Sequence, residues 1–354
     1  MKDWLMKPVK AFKTVMSSFI LAFIPIFLQA QDSIPQTQGF GGNVLVIPGV
    51  FVVSNSLLAA GAPLLDDVGT KQISSIFIGP EANAVPALPI AGELNYTFST
   101  SKTQLFFGNK FEDIIRLDVA FSLGVRQEIG NAGILVANFL FTPLELKFWS
   151  DPYVEGEDRV KTNLNFPGFR MRWGRVFQTG LELTATARQY RHEDERSGEW
   201  LVSQGRLNAT QLPLLNRDGE FYRFKALYKF KLNQHRLVPA YRYTYHNHQG
   251  DAVENKQQSF LVDYIYLSPN IVFDIKLMYG KRKADAVHPV YNEILEANRY
   301  AVAMAVLFPV NLFNSKGWNI LASAEYVNEN ANIDFFDSSL MGINAGLMWR
   351  YKRD

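Results

Sequence analysis

Tyr222-Arg223-Phe224-Lys225-Ala226-Leu227-Tyr228-Lys229-Phe230 is the stretch that decides the fold. Every second residue is Tyr, Phe, Ala, Tyr, Phe; between them stand Arg, Lys, Leu and Lys. Successive side chains of a β-strand point to opposite faces, so this is a strand with one apolar face and one mostly cationic face. The same period recurs along the chain. Phe169, Met171 and Trp173 interleave with Arg170, Arg172 and Gly174. Leu117, Val119, Phe121, Leu123 and Val125 interleave with Asp118, Ala120, Ser122, Gly124 and Arg126. Met341, Ile343, Ala345, Leu347 and Trp349 alternate with Gly342, Asn344, Gly346 and Arg350. Such runs exceed the ~5–6 residues of a soluble strand. They match the ~9–11 residues of a tilted bilayer crossing.

Working outward, strands are expected near 42–54, 91–99, 103–109, 114–128, 133–148, 164–174, 180–190, 219–231, 236–247, 256–267, 270–281, 296–309, 318–329 and 339–352. Their connections alternate long and short, with 110–113 the weak member among the long ones. Long loops on one rim and tight turns on the other mark an all-β, transmembrane, antiparallel up-and-down barrel. The count is about fourteen strands, with twelve to sixteen allowed by uncertain boundaries. An even count puts both termini on the short-turn side. Aromatics near the strand ends, such as Trp149, Trp173, Tyr264, Trp318 and Trp349, suit interfacial girdles. No stretch after Ala30 has 18 consecutive apolar residues, so no helical span is expected.

The first thirty residues read differently. Met1–Lys13 carries Lys2, Lys7, Lys10 and Lys13 against Asp3, and Val15–Leu28 is an apolar run too short to span. Leu28-Gln29-Ala30 offers a cleavage site before Gln31, as in a secretory signal peptide. Residues 1–30 are therefore expected to be a signal peptide and 31–354 one barrel domain. Without the basic leader the formal charge of +2 becomes about −1, which argues against a nucleic-acid partner. Cys is absent, so disulfides, thiolate metal sites and a catalytic Cys are excluded.

Several ordered stretches resemble a known family. They are Gly92-Glu93-Leu94-Asn95-Tyr96-Thr97-Phe98 followed by Thr103-Gln104-Leu105-Phe106-Phe107-Gly108-Asn109, then Leu123-Gly124-Val125-Arg126-Gln127-Glu128, Asp151-Pro152-Tyr153, Leu237-Val238-Pro239-Ala240-Tyr241-Arg242-Tyr243 and Asn332-Ile333-Asp334-Phe335-Phe336-Asp337. Together they resemble the gamma-proteobacterial family catalogued as domain of unknown function 2860, over nearly all of the mature chain. The resemblance implies secretion and an outer-membrane barrel. It implies no activity and carries over no functional residue. Barrels of this class commonly end on an aromatic; here the chain continues past Tyr351 to Lys352-Arg353-Asp354.

Charge on the inward face is the main functional signal. Strands six to nine carry Arg170, Arg172, Arg188, Arg223, Lys225, Lys229 and Arg242 there, against Glu182 alone, which makes a basic wall. Inward acids lie elsewhere, at Glu93, Asp118, Glu145, Asp263, Asp274 and Glu325. Charge ladders of this kind set pore selectivity. The loop bearing Asp151, Glu155, Glu157 and Asp158 is a candidate constriction if it folds inward. Residues 55–90, apolar at Leu57, Leu58, Leu64 and Leu65, are a candidate lid.

Other chemistry is weak. No G-x-S-x-G occurs, and no nucleophile can be placed with a base, so the chain is not expected to be an enzyme. His246 and His248 beside Asp251 lack a third placed ligand for a zinc site; no metal or cofactor is expected. The run Tyr190–Arg196 is a mixed-charge loop start that could meet lipopolysaccharide phosphates or divalent ions but better suits a solvated surface. Gln31–Gln38 is too short for a plug domain. The expected role is passive diffusion of small hydrophilic solutes, slightly favouring anions, from an outer-membrane position with periplasmic termini. The alternative is a non-conducting structural or surface-binding barrel acting through its extracellular loops. Expected partners are outer-membrane lipid and lipopolysaccharide, small hydrophilic solutes, the barrel-assembly machinery and periplasmic chaperones.

Overall fold

Alternation governs the backbone. The computed structural model describes residues 34–61, 64–109, 120–143, 146–312 and 315–351. The expected signal peptide, Asp118, Glu145 and the terminal Lys352-Arg353-Asp354 lie outside them.

Fourteen antiparallel strands close into a barrel. Strand β1 comprises Gly39–Val46 and Gly49–Asn55, and β2 comprises Ala82–Ala87 and Ile90–Phe98. Then follow β3 Thr103–Asn109, β4 Phe121–Ile129, β5 Gly133–Phe141, β6 Gly168–Gly174 and β7 Leu181–His192. Strand β8 comprises Gly219–Tyr228 and Phe230–Leu232. The rest are β9 His235–His248, β10 Asn255–Leu267, β11 Val272–His288, β12 Glu293–Leu312, β13 Ser315–Ala331 and β14 Ser338–Tyr351. Each pairs with the next, and β14 returns to β1, with Tyr351 opposite Gly42 and Ser338 opposite Asn55. Closure leaves no row of unpaired backbone groups between first and last strands.

Proline explains the breaks in β1 and β2. Pro48 and Pro89 have no N–H to give the ladder. Around them the Ile47 N–H donates to the Pro89 carbonyl at 3.0 Å, and the Ala345 N–H to the Pro48 carbonyl at 3.2 Å. The seam is tight as well: a Cβ on Gly346 would lie 2.0 Å from the Val46 carbonyl oxygen.

The face of each strand follows the sequence parity. Phe169 and Met171 are 65% and 62% exposed, whereas Arg170 and Arg172 between them are 9% and 7% exposed. Leu94, Leu123, Phe260 and Ile343 also point outward. An exposed apolar belt of this extent suits hydrocarbon, not water. At the short-turn end aromatics gather, with Trp318 6.3 Å from Trp349 and Trp349 6.0 Å from Tyr351. A second set sits higher, with Tyr279 5.4 Å from Tyr300.

Four strands run well past what the alternation suggested: β2 begins at Ala82, inside the expected loop 55–90, and three later strands extend at their long-loop ends. β11, β12 and β13 have 17, 20 and 17 residues. The segment 282–295, expected as a loop, is mostly strand; its hairpin turns near Asn292, which has φ 56°. The reason is physical. Lys281-Arg282-Lys283-Ala284-Asp285 stands above the apolar belt, so both faces are polar or small and the period of two fades. The shift in pairing between Lys283 and Val287 blurs it further.

Candidate functional site: a cation-lined lumen beneath a loop cap

At the long-loop end the connections pack on one another. Ile76, Tyr153, Leu201, Leu215 and Phe335 share one apolar cluster, although they come from four separate connections. Polar bonds lock them. Asp151 accepts the N–H groups of Tyr153, Gly198 and Trp200 at 3.0, 3.1 and 2.8 Å. Burial is the largest influence on this carboxyl and holds its pKa above the ordinary value, despite those three donors. Arg159, buried over the Trp149 ring, donates to the carbonyls of Ser56, Pro152 and Thr70. Burial lowers its pKa to about 10. Tyr291 donates to the Ile76 carbonyl at 3.0 Å.

Asp151, Glu155 and Asp158 of the expected constriction loop are bound within this cap. Glu155 accepts the Ile76 N–H at 2.7 Å and pairs with Arg206; Asp158 pairs with Lys71 and Gln72; Glu157 is exposed. Hydrogen bonds outweigh burial at Glu155 and lower its pKa. Asp158 is lowered by its bonds to Lys71 and Gln72. The partners of Asp151, Glu155 and Asp158 are thus cap groups, not the arginines of β6–β9. The long first connection folds over the mouth, where Leu58, Leu64 and Val68 pack on Phe51, Val53 and Leu340.

A rim sheet supports the cap. Leu146–Trp149 pairs with Leu58–Gly61 on one side and Lys161–Asn165 on the other. Nearby, His192 Nδ1 lies 2.9 Å from Asp218 and 3.5 Å from Glu195. These three could chelate a metal by distance, but Arg217 already pairs with Glu195 at 2.7 Å.

Below the cap the lumen holds the charges. Arg170, Arg172, Arg188 and Arg242 are buried inward, and Arg223, Lys225 and Lys229 share their face half-buried. Much of the wall has protein partners. Arg172 and Lys229 reach Glu182 at 3.1 and 3.3 Å. Arg170 Nε donates to Thr186 Oγ1 at 3.4 Å, and Arg188 Nε to the Phe166 carbonyl at 2.9 Å. Of the acids, Glu93 pairs with Arg126 and Asp263 with Lys276 at 3.4 Å. Asp274 is fully buried, and Glu325 accepts from Asn344 at 3.4 Å.

Two cavities lie among these groups, about 290 and 270 Å³ in volume. They adjoin, sharing Asn55, Arg223, Arg299 and Ser338 in their walls. Their combined lining has the cations Arg223, Arg242, Lys276, Arg282 and Arg299 against Glu325, Glu329 and Asp337. Arg282 and Arg299 flank Glu329 at 2.9 and 2.5 Å. Arg299 also donates to Gln257 at 2.8 Å, and Gln257 reaches His246 at 3.3 Å. The wall read from sequence contributes Arg223 and Arg242 to these cavities; Arg170, Arg172, Arg188, Lys225 and Lys229 line neither. Arg126, Arg282, Arg299 and Glu329 were missed. Parity carried one residue past 281 would have found Arg282, which shares the face of Asp274 and Lys276. Arg299 shares the face of Ala303 and Ala305, where small residues on both sides of β12 hide the alternation.

No curated protein matches the chain. Among solved structures, an anion-selective porin from Comamonas acidovorans is 8% identical, covering 89% of this chain and 100% of that one, with a TM-score of 0.40. A Pseudomonas aeruginosa FadL homologue is 11% identical, covering 88% and 90%, with a TM-score of 0.44. The family model described as "Protein of unknown function (DUF2860)" matches residues 39–350, from the first strand of the barrel to its last. The chain belongs to that family.

Proposed function

We propose that this protein is an outer-membrane barrel through which small hydrophilic solutes pass passively, with a slight preference for anions. On this reading residues 1–30 are a cleaved signal peptide and both termini lie in the periplasm. Lipid and lipopolysaccharide surround the barrel, and chaperones and the assembly machinery deliver it. No catalytic role is assigned. The observation that carries the proposal is the pair of adjoining cavities, lined by five cations and three carboxylates. A low-dielectric wall concentrates such a field, drawing anions and repelling cations. The cap makes passage narrow.

The test is a reversal potential across a planar bilayer under a salt gradient. Wild type should favour anions modestly, more so at low salt, because screening lengths fall from ~10 Å at 0.1 M to ~3 Å at 1 M. Changing Arg223 and Arg242 together to Glu should move the reversal potential toward cations. A conducting pore indifferent to that change would remove these residues from the path. A second reading, a non-conducting barrel acting through its outer loops, is favoured by the apolar cluster that ties those loops together. Absence of conductance in both proteins would select it.

A further inference from the structure

The 290 Å³ cavity has two unlike walls. One is guanidinium: Arg223, Arg282 and Arg299, from β8, β11 and β12. The other is aromatic, chiefly Phe166, Phe221 and Phe335. A bare inorganic anion gains nothing from the rings, and a hydrocarbon gains nothing from the arginines.

Both walls are held in place. Glu329 fixes two of the guanidiniums, at 2.9 Å from Arg282 and 2.5 Å from Arg299. Phe166 meets Phe221 edge-on at 5.5 Å, and Phe335 stacks on the buried Tyr153 at 5.4 Å. Arg223 lies 4.6 Å over the Phe221 ring, where the two walls meet. Three guanidiniums face two carboxylates, Glu329 and Asp337, so the lining has one positive charge in excess. The cavity is at the small end of ligand pockets, which run ~300–1,000 Å³.

We propose that this cavity binds a small monocarboxylate whose body is flat and apolar, about one aromatic ring in size. The guanidinium forks match a carboxylate in geometry and charge. The rings match the body through edge and face contacts. The inference rests on the reading of the lumen as a solute path and narrows the solute class.

Isothermal titration of the folded, detergent-solubilised barrel tests it with three probes: benzoate, its neutral isostere benzamide, and acetate. Benzoate should bind roughly tenfold or more tightly than either of the others, each of which lacks one half of the match. Arg282→Gln should weaken benzoate roughly tenfold and leave benzamide unchanged. Phe221→Leu should bring benzoate toward acetate. Equal affinities for the three probes, or no benzoate heat at millimolar concentration, would overturn the assignment. If neither variant yields a folded, heat-modifiable band, the wild-type ranking alone decides. The two readings fail separately. Conductance without benzoate binding removes this site and keeps the path. Benzoate binding in a barrel that never conducts keeps the site and removes the path.

Discussion

Met171 and Arg172 are neighbours in sequence and opposites in environment, 62% and 7% exposed. A charge at Met171 would face lipid near the middle of β6, at a cost of ~2–4 kcal/mol. Met171→Arg should therefore lower the urea midpoint of the barrel in vesicles, while Lys225→Arg, which keeps an inward cation, should leave it nearly unchanged. Equal losses would place the faces the wrong way round, since a slip of one residue exchanges them. A second residue-scale expectation concerns acid. Burial alone would raise the pKa of Asp218, but the His192 ring and backbone N–H outweigh it and hold the carboxyl below its ordinary value. A depressed acid stabilises the fold above its ordinary pKa of ~3.9 and loses that contribution as pH falls through the lower folded value. Protease nicking of residues 193–217 should then rise below about pH 4, and Asp218→Asn should flatten that rise. Identical pH profiles for the two proteins would refute this role of Asp218. Residue faces such as these were legible because alternation is local. Arg282 and Arg299 were not, because one lies beyond the apolar belt and the other among alanines and valines.

Among elements, the cap packs on the strands through apolar side chains but is tied together by its own polar bonds. Arg159 serves the carbonyls of Ser56, Pro152 and Thr70 and no barrel strand. Arg159→Met would leave three acceptors without their donor, each worth ~1–3 kcal/mol when buried and unsatisfied. The first and third long connections should become protease-sensitive, while the barrel still migrates faster unheated than boiled. Loss of the heat-modifiable band would mean that the cap is integral to barrel stability. Most strands could be read from sequence to within a few residues, since a period of two needs no knowledge of neighbours; the start of β2 at Ala82, the end of β5 at Phe141 and the end of β11 at His288 could not. The cap could not. Its order depends on contacts such as Tyr291 with Ile76, 215 positions apart, which no local pattern encodes. The same limit explains the acids of 151–158, whose partners Lys71, Arg206 and Trp200 are distant in sequence.

For the whole molecule, the cation-lined cavities lie between the capped long-loop end and an apolar layer toward the short turns that includes Leu45, Ile47, Leu307 and Leu321. On the proposed reading a solute crosses both. The seam between β1 and β14 sets a different constraint, on time. It joins Val46 to Leu347 and Gly42 to Tyr351, residues from opposite ends of the chain. Every other strand pair is a neighbour in the chain and closes a far shorter loop. The seam closes the longest loop, and its entropy must be met before its hydrogen bonds contribute. Until the final fourteen-residue strand arrives, the sheet has two free edges able to pair with another copy. Closure is therefore the expected slow step of folding. A chain ending before Ser338 should aggregate in the refolding tube, while the full chain completes its ring.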